Sequence, residues 1–283
     1  MMKSILVALD GSPASLAGLM EAVRWAEVLG SELRGIYVED EQRFVYYPAG
    51  FSAEGGVPVA APLPDSELTE ENEKVRAEGV EIRKAFVQAL EGKSIHSEFL
   101  QQRGNVNQIL TREARAVDLV VMGRRGRNDP ANSTEAGPTT ETLIHNSLRP
   151  VLVVPAQHSG NGTFVFAYDG SRGAQRVVSA GTELLASIGV KAAVISIGDD
   201  AQLKRDHDQV LKRYWRPYHI DATFRVAKRE GRPAAMIVEF ARQNDARMIV
   251  MGAFGRNPLH ELFFGSTTLE TLAETPCPVL LMG

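Results

Sequence analysis

The stretch 251–268 reads MGAFGRNPLHELFFGSTT, and the spacing of its glycines decides how the rest of the chain is interpreted. The preceding residues 246–251 (ARMIVM) form a short apolar run, typical of a strand buried on both faces of a parallel sheet. After that run come glycines and hydroxyl residues at Gly252, Gly255, Gly265, Ser266 and Thr267. The stretch therefore predicts a strand, a glycine-bearing loop, and a helix that opens at its last glycine.

A loop of this kind is suited to binding phosphate. Glycines let a ligand come close to the backbone because they carry no side chain. The free N–H groups at a helix start face an anion, and the aligned peptides give that end roughly half a positive charge. We therefore interpret the loop as a phosphate-binding loop that needs no lysine. The alternative is an ordinary turn with glycines for close packing, and for Gly252 taken alone this alternative is favoured.

Composition describes a globular chain that is long enough for two ordinary domains. Its 283 residues are 44% hydrophobic and 23% charged, and the formal net charge of -4 does not favour a nucleic-acid partner. The single cysteine, Cys277, excludes an intramolecular disulfide and suits a reducing compartment, and we expect it to be buried. The sequence has no apolar run of signal-peptide or membrane-spanning length. These features predict a cytoplasmic protein without a membrane partner.

The chain contains one pattern twice. A predicted strand at 5–9 ends in Asp-Gly-Ser, and a later one at 164–168 ends in the same three residues. Further on, VMGRRGRN at 121–128 corresponds to VMGAFGRN at 250–257. Each copy alternates five predicted strands with helices, and such alternation requires parallel strands joined by right-handed crossovers. The predicted fold is α/β, with two repeated doubly wound, Rossmann-like domains that each contain a parallel five-stranded sheet.

The predicted domains span 1–155 and 164–283, with a polar linker at 156–163. The first copy also carries an insertion at about 39–68 that is rich in aromatic residues and prolines. We interpret this insertion as a lid or an interface rather than as a floppy segment. The helix after it is predicted to start near Thr69, and its early glutamates are given no role beyond the helix dipole.

The loop of the second copy resembles the ATP-binding loop of the universal stress protein family. The shared features are a strand ending in Val-Met-Gly and the order glycine, two residues, glycine, nine residues, glycine and serine. The resemblance covers nearly the whole chain apart from the insertion and the linker. It implies an adenine nucleotide alpha hydrolase-like fold, ATP as ligand with Mg²⁺ as a candidate companion, and a role in stress response or signalling.

The loop and the resemblance together give a second-copy site of Asp169, Ile197, Gly198, Met251, Gly252, Gly255, Arg256, Gly265, Ser266 and Thr267. With the family's strand order, Asp169 lies opposite Gly252, in reach of a ribose or of a metal on the phosphates. The resemblance also implies a backbone contact to adenine from Ile197 or Gly198. The alternative role of Asp169 is a helix-start cap, and both roles are compatible.

The first copy departs from this loop, and its weaker candidates are Asp10, Val38, Gly123, Gly126, Gly137 and Thr139. Gly137 follows Gly126 after ten residues rather than nine, and Pro138 stands in place of the serine. An ungapped alignment instead pairs Ala136 with Gly265. Either register alters the loop, because proline has no N–H to donate and alanine adds a methyl group.

Two arginines of the first-copy loop leave a choice open. Arg124 and Arg125 either compensate for the altered loop by their charge or are simply exposed. Elsewhere, His207 is expected on a solvated helix face between Asp206 and Asp208, and His260 in the loop is expected to be exposed. No metal site is predicted from these residues.

Catalytic motifs are mostly absent from the sequence. No complete Walker loop is present, because the one Gly-Lys-Ser, at 92–94, has Val87 where the first glycine of that loop is required. Leu-Asp-Gly-Ser also replaces the Ser-Gly-Gly of related ATP pyrophosphatases after the first strand. We therefore expect ATP binding without catalysis, or at most slow hydrolysis or self-phosphorylation on Ser266 or Thr267. The alternative function is a dimerising scaffold or small-ligand-binding module without nucleotide turnover.

Assembly is predicted from the two final strands at 151–154 and 279–282. Both are short and apolar, and an exposed apolar strand edge invites pairing. The resemblance implies that this strand joins two subunits, so the two copies are expected to form a pseudo-dimer within one chain. The insertion offers a further surface for a homodimer.

The altered loop of the first copy predicts that the two sites are unequal. We expect one tightly bound nucleotide per chain in a calorimetric titration with ATP, because Pro138 and the longer spacing change the first loop. A titration with two equivalent sites of similar affinity would show that the first loop tolerates its departure.

Overall fold

The computed structural model describes residues 1–46, 60–130, 135–158, 160–254 and 265–283. The first half of the chain contains β1 (Ser4–Leu9), α1 (Pro13–Leu29), β2 (Glu32–Asp40), a 3-10 turn (Glu41–Phe44), β3 (Val45–Tyr46), β4 (Ala61–Pro62), α2 (Asp65–Ala89), β5 (Ser97–Gly104), α3 (Val106–Ala114), β6 (Leu119–Gly123), α4 (Pro138–Asn146) and β7 (Val151–Val154). The second half contains β8 (Phe164–Ala167), α5 (Arg172–Ile188), β9 (Ala192–Ile197), α6 (Ala201–Trp215), a 3-10 turn (Arg216–Tyr218), β10 (Ala222–Ala227), α7 (Pro233–Gln243), β11 (Met248–Gly252), α8 (Ser266–Glu274) and β12 (Val279–Met282).

Ten strands form one continuous sheet in the order β10-β9-β8-β11-β12-β7-β6-β1-β2-β5. Within each half, the strands of this sheet pair in parallel. Counted along the chain, the first strand of each half lies between the second and the fourth, so that β1 lies between β2 and β6, and β8 lies between β9 and β11. This arrangement confirms the predicted pair of doubly wound, five-stranded domains. The strand order reverses beside β1 and β8, so each half has a crevice at the carboxyl ends of these strands.

The two halves join through β7 and β12, which pair antiparallel at the centre of the sheet. Leu152 lies opposite Leu280, with flanking pairs that are also buried. Alternate residues of both strands point to opposite faces, so Leu152 and Leu280 enter the core on one face, while Val153 and Val279 enter the core on the other. Each of the two cores therefore runs through both halves. The predicted pairing of the final strands is present.

Both halves begin with the same local structure. Ser12 caps α1, with its Oγ accepting the Ser15 N–H at 3.2 Å, and Ser171 caps α5 in the same way. Gly30 and Gly189 end these helices. The starts and ends of both helices are therefore determined by the residues directly at their termini.

The insertion of the first half is tied to α2 by an arginine. Arg43 binds Glu71 and Glu78, with N–O distances of 2.6 Å to each. The helix begins at Asp65 rather than near Thr69, so Glu71 lies beyond its first turn. Because Glu71 pairs with Arg43, the prediction that the early glutamates serve only the helix dipole is wrong for this residue. Phe44 is buried beneath the Arg103 guanidinium, 4.1 Å from the ring centre, while residues 47–59 lie outside the described part.

A buried ion pair crosses between the halves. Glu21 of α1 accepts from Arg247 of the second half at 3.3 Å and lies 3.2 Å from His158 Nε2. Burial acts to raise the pKa of Glu21, but the His158 hydrogen bond and the charges on Arg247 and His158 outweigh it and hold this pKa below 4.5. Burial lowers the pKa of Arg247, and the Glu21 charge offsets this only in part. A guanidinium nevertheless stays charged, so both partners are ionised.

Replacing Val279 by glutamate should destabilise both halves. The side chain of Val279 is 0% exposed, so Val279→Glu buries an unpaired charge at the junction and should lower the free energy of unfolding by roughly 4 kcal/mol. Urea denaturation gives the free energy, and hydrogen exchange reports each half. Val226→Glu on the edge strand β10, where Val226 is 36% exposed, is the control. Equal effects of the two substitutions would contradict a stabilising role for the β7–β12 junction.

Glu21→Gln should lower the free energy of unfolding by about 3 kcal/mol at neutral pH, because it leaves Arg247 buried without its counter-charge. Since the folded-state pKa of Glu21 is lowered, its contribution is complete above pH 4.5 and is lost as the pH falls through the folded-state value. The difference between wild type and variant should therefore shrink below pH 4.5. Glu27→Gln, which removes an exposed pair with Lys93 from the same helix, should change stability by less than about 1 kcal/mol.

Candidate functional site

Each crevice begins with an Asp-Gly-Ser turn after the first strand of its half. Gly11 and Gly170 have φ of 77° and 79°, a conformation that other residues rarely adopt. In the first half, Asp10 Oδ1 accepts the Ser12 N–H at 2.9 Å, and in the second half Asp169 Oδ1 accepts the Ser171 N–H at the same distance. Both aspartates therefore stabilise the turn that precedes the helix start, by accepting the N–H of the serine that caps the helix.

In the second half, Met251 and Gly252 end β11 next to β8, as the predicted strand order requires. Met251 is buried in the core, so it offers its backbone rather than its side chain to the crevice. A Cβ at Gly252 would lie 2.7 Å from the Ala174 nitrogen at the start of α5. The packing role that was favoured for Gly252 alone is thus supported by the structure. Gly255, Arg256 and His260 lie outside the described residues.

The helix after the loop starts where it was predicted. Gly265 is the N-cap of α8, and among the residues that the structure describes no side-chain hydrogen bond caps this helix start. Ser266 is exposed and Thr267 is half-buried in the first turn. Sequence reasoning missed Thr268, whose buried Oγ1 donates to the Ala253 carbonyl at 3.0 Å and so ties α8 to the loop that follows β11.

The adenine-side candidates lie at the end of β9. Ile197 is the last residue of β9 and pairs with Ala227 of β10. The Gly198 N–H donates to the Ala227 carbonyl at 3.0 Å. A backbone contact to a ligand at this position is therefore available from Ile197 rather than from the Gly198 N–H.

The prediction that His207 lies on a solvated helix face is wrong. Packing of α6 places its ring edge-on to Tyr168, with the ring centres 5.8 Å apart. A Cβ at Gly170 would approach His207 Nε2 to 2.5 Å, so the imidazole covers the turn that begins the second-half crevice. The next residue, Asp208, is buried beside Ser196 at 3.2 Å. The spacing of residues along a charged helix could not predict the contact of His207 with Tyr168 and Gly170, because this contact depends on how α6 packs on the sheet.

The first half contains a cavity of about 240 Å³ in the corresponding place. Its lining includes all six first-copy candidates, namely Asp10, Val38, Gly123, Gly126, Gly137 and Thr139. Apolar side chains such as Ile36, Val106 and Met122 form its walls, and the loop glycines and the start of α4 form its polar end. The candidates of this half are thus brought together at one site, although they are separated along the chain.

The polar end of this cavity is filled by carboxylates of the chain itself. The Gly126 N–H donates to Asp129 Oδ2 at 2.6 Å, and the Arg127 N–H donates to Asp10 Oδ2 at 2.7 Å. A Cβ at Gly137 would overlap Asp129 Oδ2, so this carboxylate lies directly against Gly137. Sequence reasoning did not consider Asp129 as a ligand of the loop.

The helix starts decide between the two registers that the sequence left open. Gly137 is the N-cap of α4, and Gly265 is the N-cap of α8. Thr140 and Thr268 then correspond, because each donates from Oγ1 to carbonyls at the end of the preceding strand. Gly137 therefore matches Gly265, and Pro138 occupies the first helical position, where the missing N–H disturbs the helix least.

The arginines of the first loop do not act together. Arg124 donates to the Leu272 and Ala273 carbonyls at 2.8 and 3.2 Å, at the carboxyl end of α8 in the other half. Burial lowers the pKa of Arg124, with a further contribution from the charge on Arg125. Arg125 lines the cavity, and Arg127, which sequence reasoning missed, pairs with Glu78 at 3.0 Å. Neither charge compensation nor simple exposure describes Arg124.

The described residues also set limits on other kinds of site. Within them, no group of three His, Cys, Asp or Glu side chains is placed to hold a metal ion. Across the same ranges, none of the helices combines the length and the apolar character that a membrane crossing needs. Cys277 is buried, as expected, and burial raises the pKa of its thiol to about 11.

The fold and the repeated crevice define a tandem, doubly wound α/β protein, and comparisons with known proteins give its family. The sequence model of the universal stress protein family matches twice, at residues 1–155 and 160–282. Universal stress protein Slr1230 of Synechocystis sp. is 25% identical over 292 residues, covering 99% of this chain and 99% of that protein. Universal stress protein MJ0531 of Methanocaldococcus jannaschii is 31% identical over 152 residues, covering 54% of this chain and 81% of that protein.

A solved structure agrees with these matches at the level of the fold. The crystal structure of a universal stress protein from Archaeoglobus fulgidus has a TM-score of 0.73 and 18% identity, covering 99% of this chain and 97% of that chain. The chain belongs to the universal stress protein family, as the resemblance of its second loop indicated.

Proposed function

We propose that this protein binds ATP in its second half and acts in stress response or signalling by binding rather than by turnover. The observation that carries the proposal is the start of α8. This helix begins at Gly265 beside the carboxyl end of β11, and no side chain of its N-cap covers its first N–H groups. The starts of α1 and α5 differ, since each is capped by its own serine. An uncapped helix start at this edge of the sheet is suited to an anionic group.

The proposed site takes its other residues from the ends of neighbouring strands and from the loop. Asp169 follows β8, which ends at Ala167, and Met251 and Gly252 end the neighbouring β11. Gly255 and Arg256 complete the site by their place in the sequence motif, with Ser266 and Thr267 in the first turn of α8. Mg²⁺ would accompany the phosphates, and the Asp169 carboxylate, which follows β8, is the group we propose for a ribose or the ion.

The wider proposal concerns organisation and location. We propose domains at 1–155 and 164–283, separated by a linker at 156–163, and a cytoplasmic location that suits a single buried cysteine. A scaffold function without nucleotide is the second candidate. The observation in its favour is the continuous sheet, in which β7 and β12 join both halves through backbone pairing and buried side chains.

Gly265→Val should weaken ATP binding at least about 100-fold, because a branched side chain would cover the backbone that the phosphates approach. Calorimetric titration of the purified protein measures the affinity, and circular dichroism establishes that the variant is folded. Pro138→Val places the same side chain at an exposed position at the start of the corresponding helix α4 and should leave the tight site unchanged. Unchanged ATP affinity in folded Gly265→Val would contradict the phosphate role, and a wild-type chain that binds no ATP would favour the scaffold.

A further inference from the structure

We infer that Asp129 determines the ligand class of the first-half cavity: its carboxylate takes the place of a phosphate group, so that the cavity accepts an uncharged, nucleoside-like ligand and excludes nucleotides. The inference rests on the proposed function in one respect, since it takes the loops of the two halves as variants of one phosphate-binding loop.

The position of the Asp129 carboxylate carries the inference. Its Oδ2 accepts the Gly126 N–H at 2.6 Å, and it lies against Gly137, where a Cβ would overlap the same oxygen. These two glycines border the cavity at the place where the loop meets the start of α4. The space that an approaching anion would use, and an N–H group that would bind it, are therefore taken by an anion of the chain itself.

A second carboxylate acts in the same way on the neighbouring N–H. Asp10 Oδ2 accepts the Arg127 N–H at 2.7 Å, so two successive backbone donors of the loop are already satisfied. A phosphate would have to displace a carboxylate from its donor and would then lie within a few ångströms of two negative charges. Like charges at such a distance repel strongly near a protein surface, and the displaced carboxylate would lose its hydrogen bond.

The second half lacks this carboxylate in its sequence. In the repeated motif, Asn128 is followed by Asp129, whereas Asn257 is followed by Pro258. The two loops are otherwise similar from Val-Met-Gly through Gly-Arg-Asn. At the position directly after the shared Gly-Arg-Asn, the first loop therefore has a carboxylate and the second loop has none, since its acidic residue, Glu261, comes three positions after Pro258.

The remainder of the cavity is suited to an uncharged ring system. Its walls are apolar, with Ile36, Val38 and Met122 among the lining residues. Charges of both signs occur at its polar end, where Arg125 and Arg127 line the cavity together with Asp10, Asp40 and Asp129. Because neither sign dominates, the lining favours neither a polyanion nor a strongly cationic ligand. A nucleoside matches this combination of an apolar face and polar hydroxyls, so adenosine is the chosen probe.

The test removes Asp129 from a chain whose second-half loop is disabled. Calorimetric titrations with ATP and with adenosine compare Gly265→Val alone with Gly265→Val carrying Asp129→Ala. We expect Asp129→Ala to increase ATP affinity at least about tenfold and to change adenosine affinity less than about threefold. Asp129→Asn, which keeps the size of the side chain and removes its charge, should also raise ATP affinity and serves if the alanine variant does not fold.

The matched control is Glu141→Gln in the same background. Glu141 lies in the first turn of α4, so its replacement removes a nearby negative charge without emptying the loop. No gain in ATP affinity is expected from it, and an equal gain would overturn the role of Asp129. The inference is also overturned if folded Asp129 variants gain no ATP affinity, if Gly265→Val alone binds ATP tightly through the first half, or if adenosine binds only after Asp129 is removed.

The proposed function and this inference fail in different measurements. Failure of the proposed function appears in the wild-type chain, as absent ATP binding or as binding that Gly265→Val leaves unchanged. The role of Asp129 is measured only by the difference between chains that share the Gly265→Val substitution.

Discussion

The antiparallel pairing of β7 and β12 is the constraint on which the rest of the structure depends. Each is the last strand that its half contributes to the ten-stranded sheet, and without this pairing it would be an open, apolar edge. Their pairing continues the sheet from one half to the other and places alternate side chains in two cores that both halves share. Because the junction is completely buried, the halves stabilise one another, and the ion pair of Glu21 with Arg247 adds a charged contact beside it.

This junction also brings each loop close to the opposite half. Arg124 follows β6 and donates to carbonyls at the carboxyl end of α8, where a cation is favoured by the helix dipole. Two residues beyond the end of β11, Phe254 packs edge-on against His145 in the last turn of α4, with the ring centres 5.5 Å apart. Each of these helices begins at the crevice of its own half. The residues that follow β6 and β11 therefore each contact the last turn of the helix that begins at the crevice of the other half.

The duplication has left the two halves alike in backbone and different in chemistry. The same Asp-Gly-Ser turn and the same threonine contact recur in both halves. Only the first half has the insertion with its Arg43 contacts to α2, and in its loop Asp129 accepts the Gly126 N–H. The recurring features belong to the backbone and determine the fold, whereas the differing ones are side chains at the crevice, on which the fold does not depend.

The sequence by itself determined the repeat, the alternation of strands with helices, and the start of α8 at Gly265. These features depend on periodicity and on the conformational preferences of neighbouring residues. Only the tertiary structure decided that His207 covers Gly170 and that Asp129 binds the loop. Such contacts depend on where a helix or loop packs, and no local preference records that position. The same reason explains why Arg124 could be identified in the sequence as a charge but not as a contact between the halves.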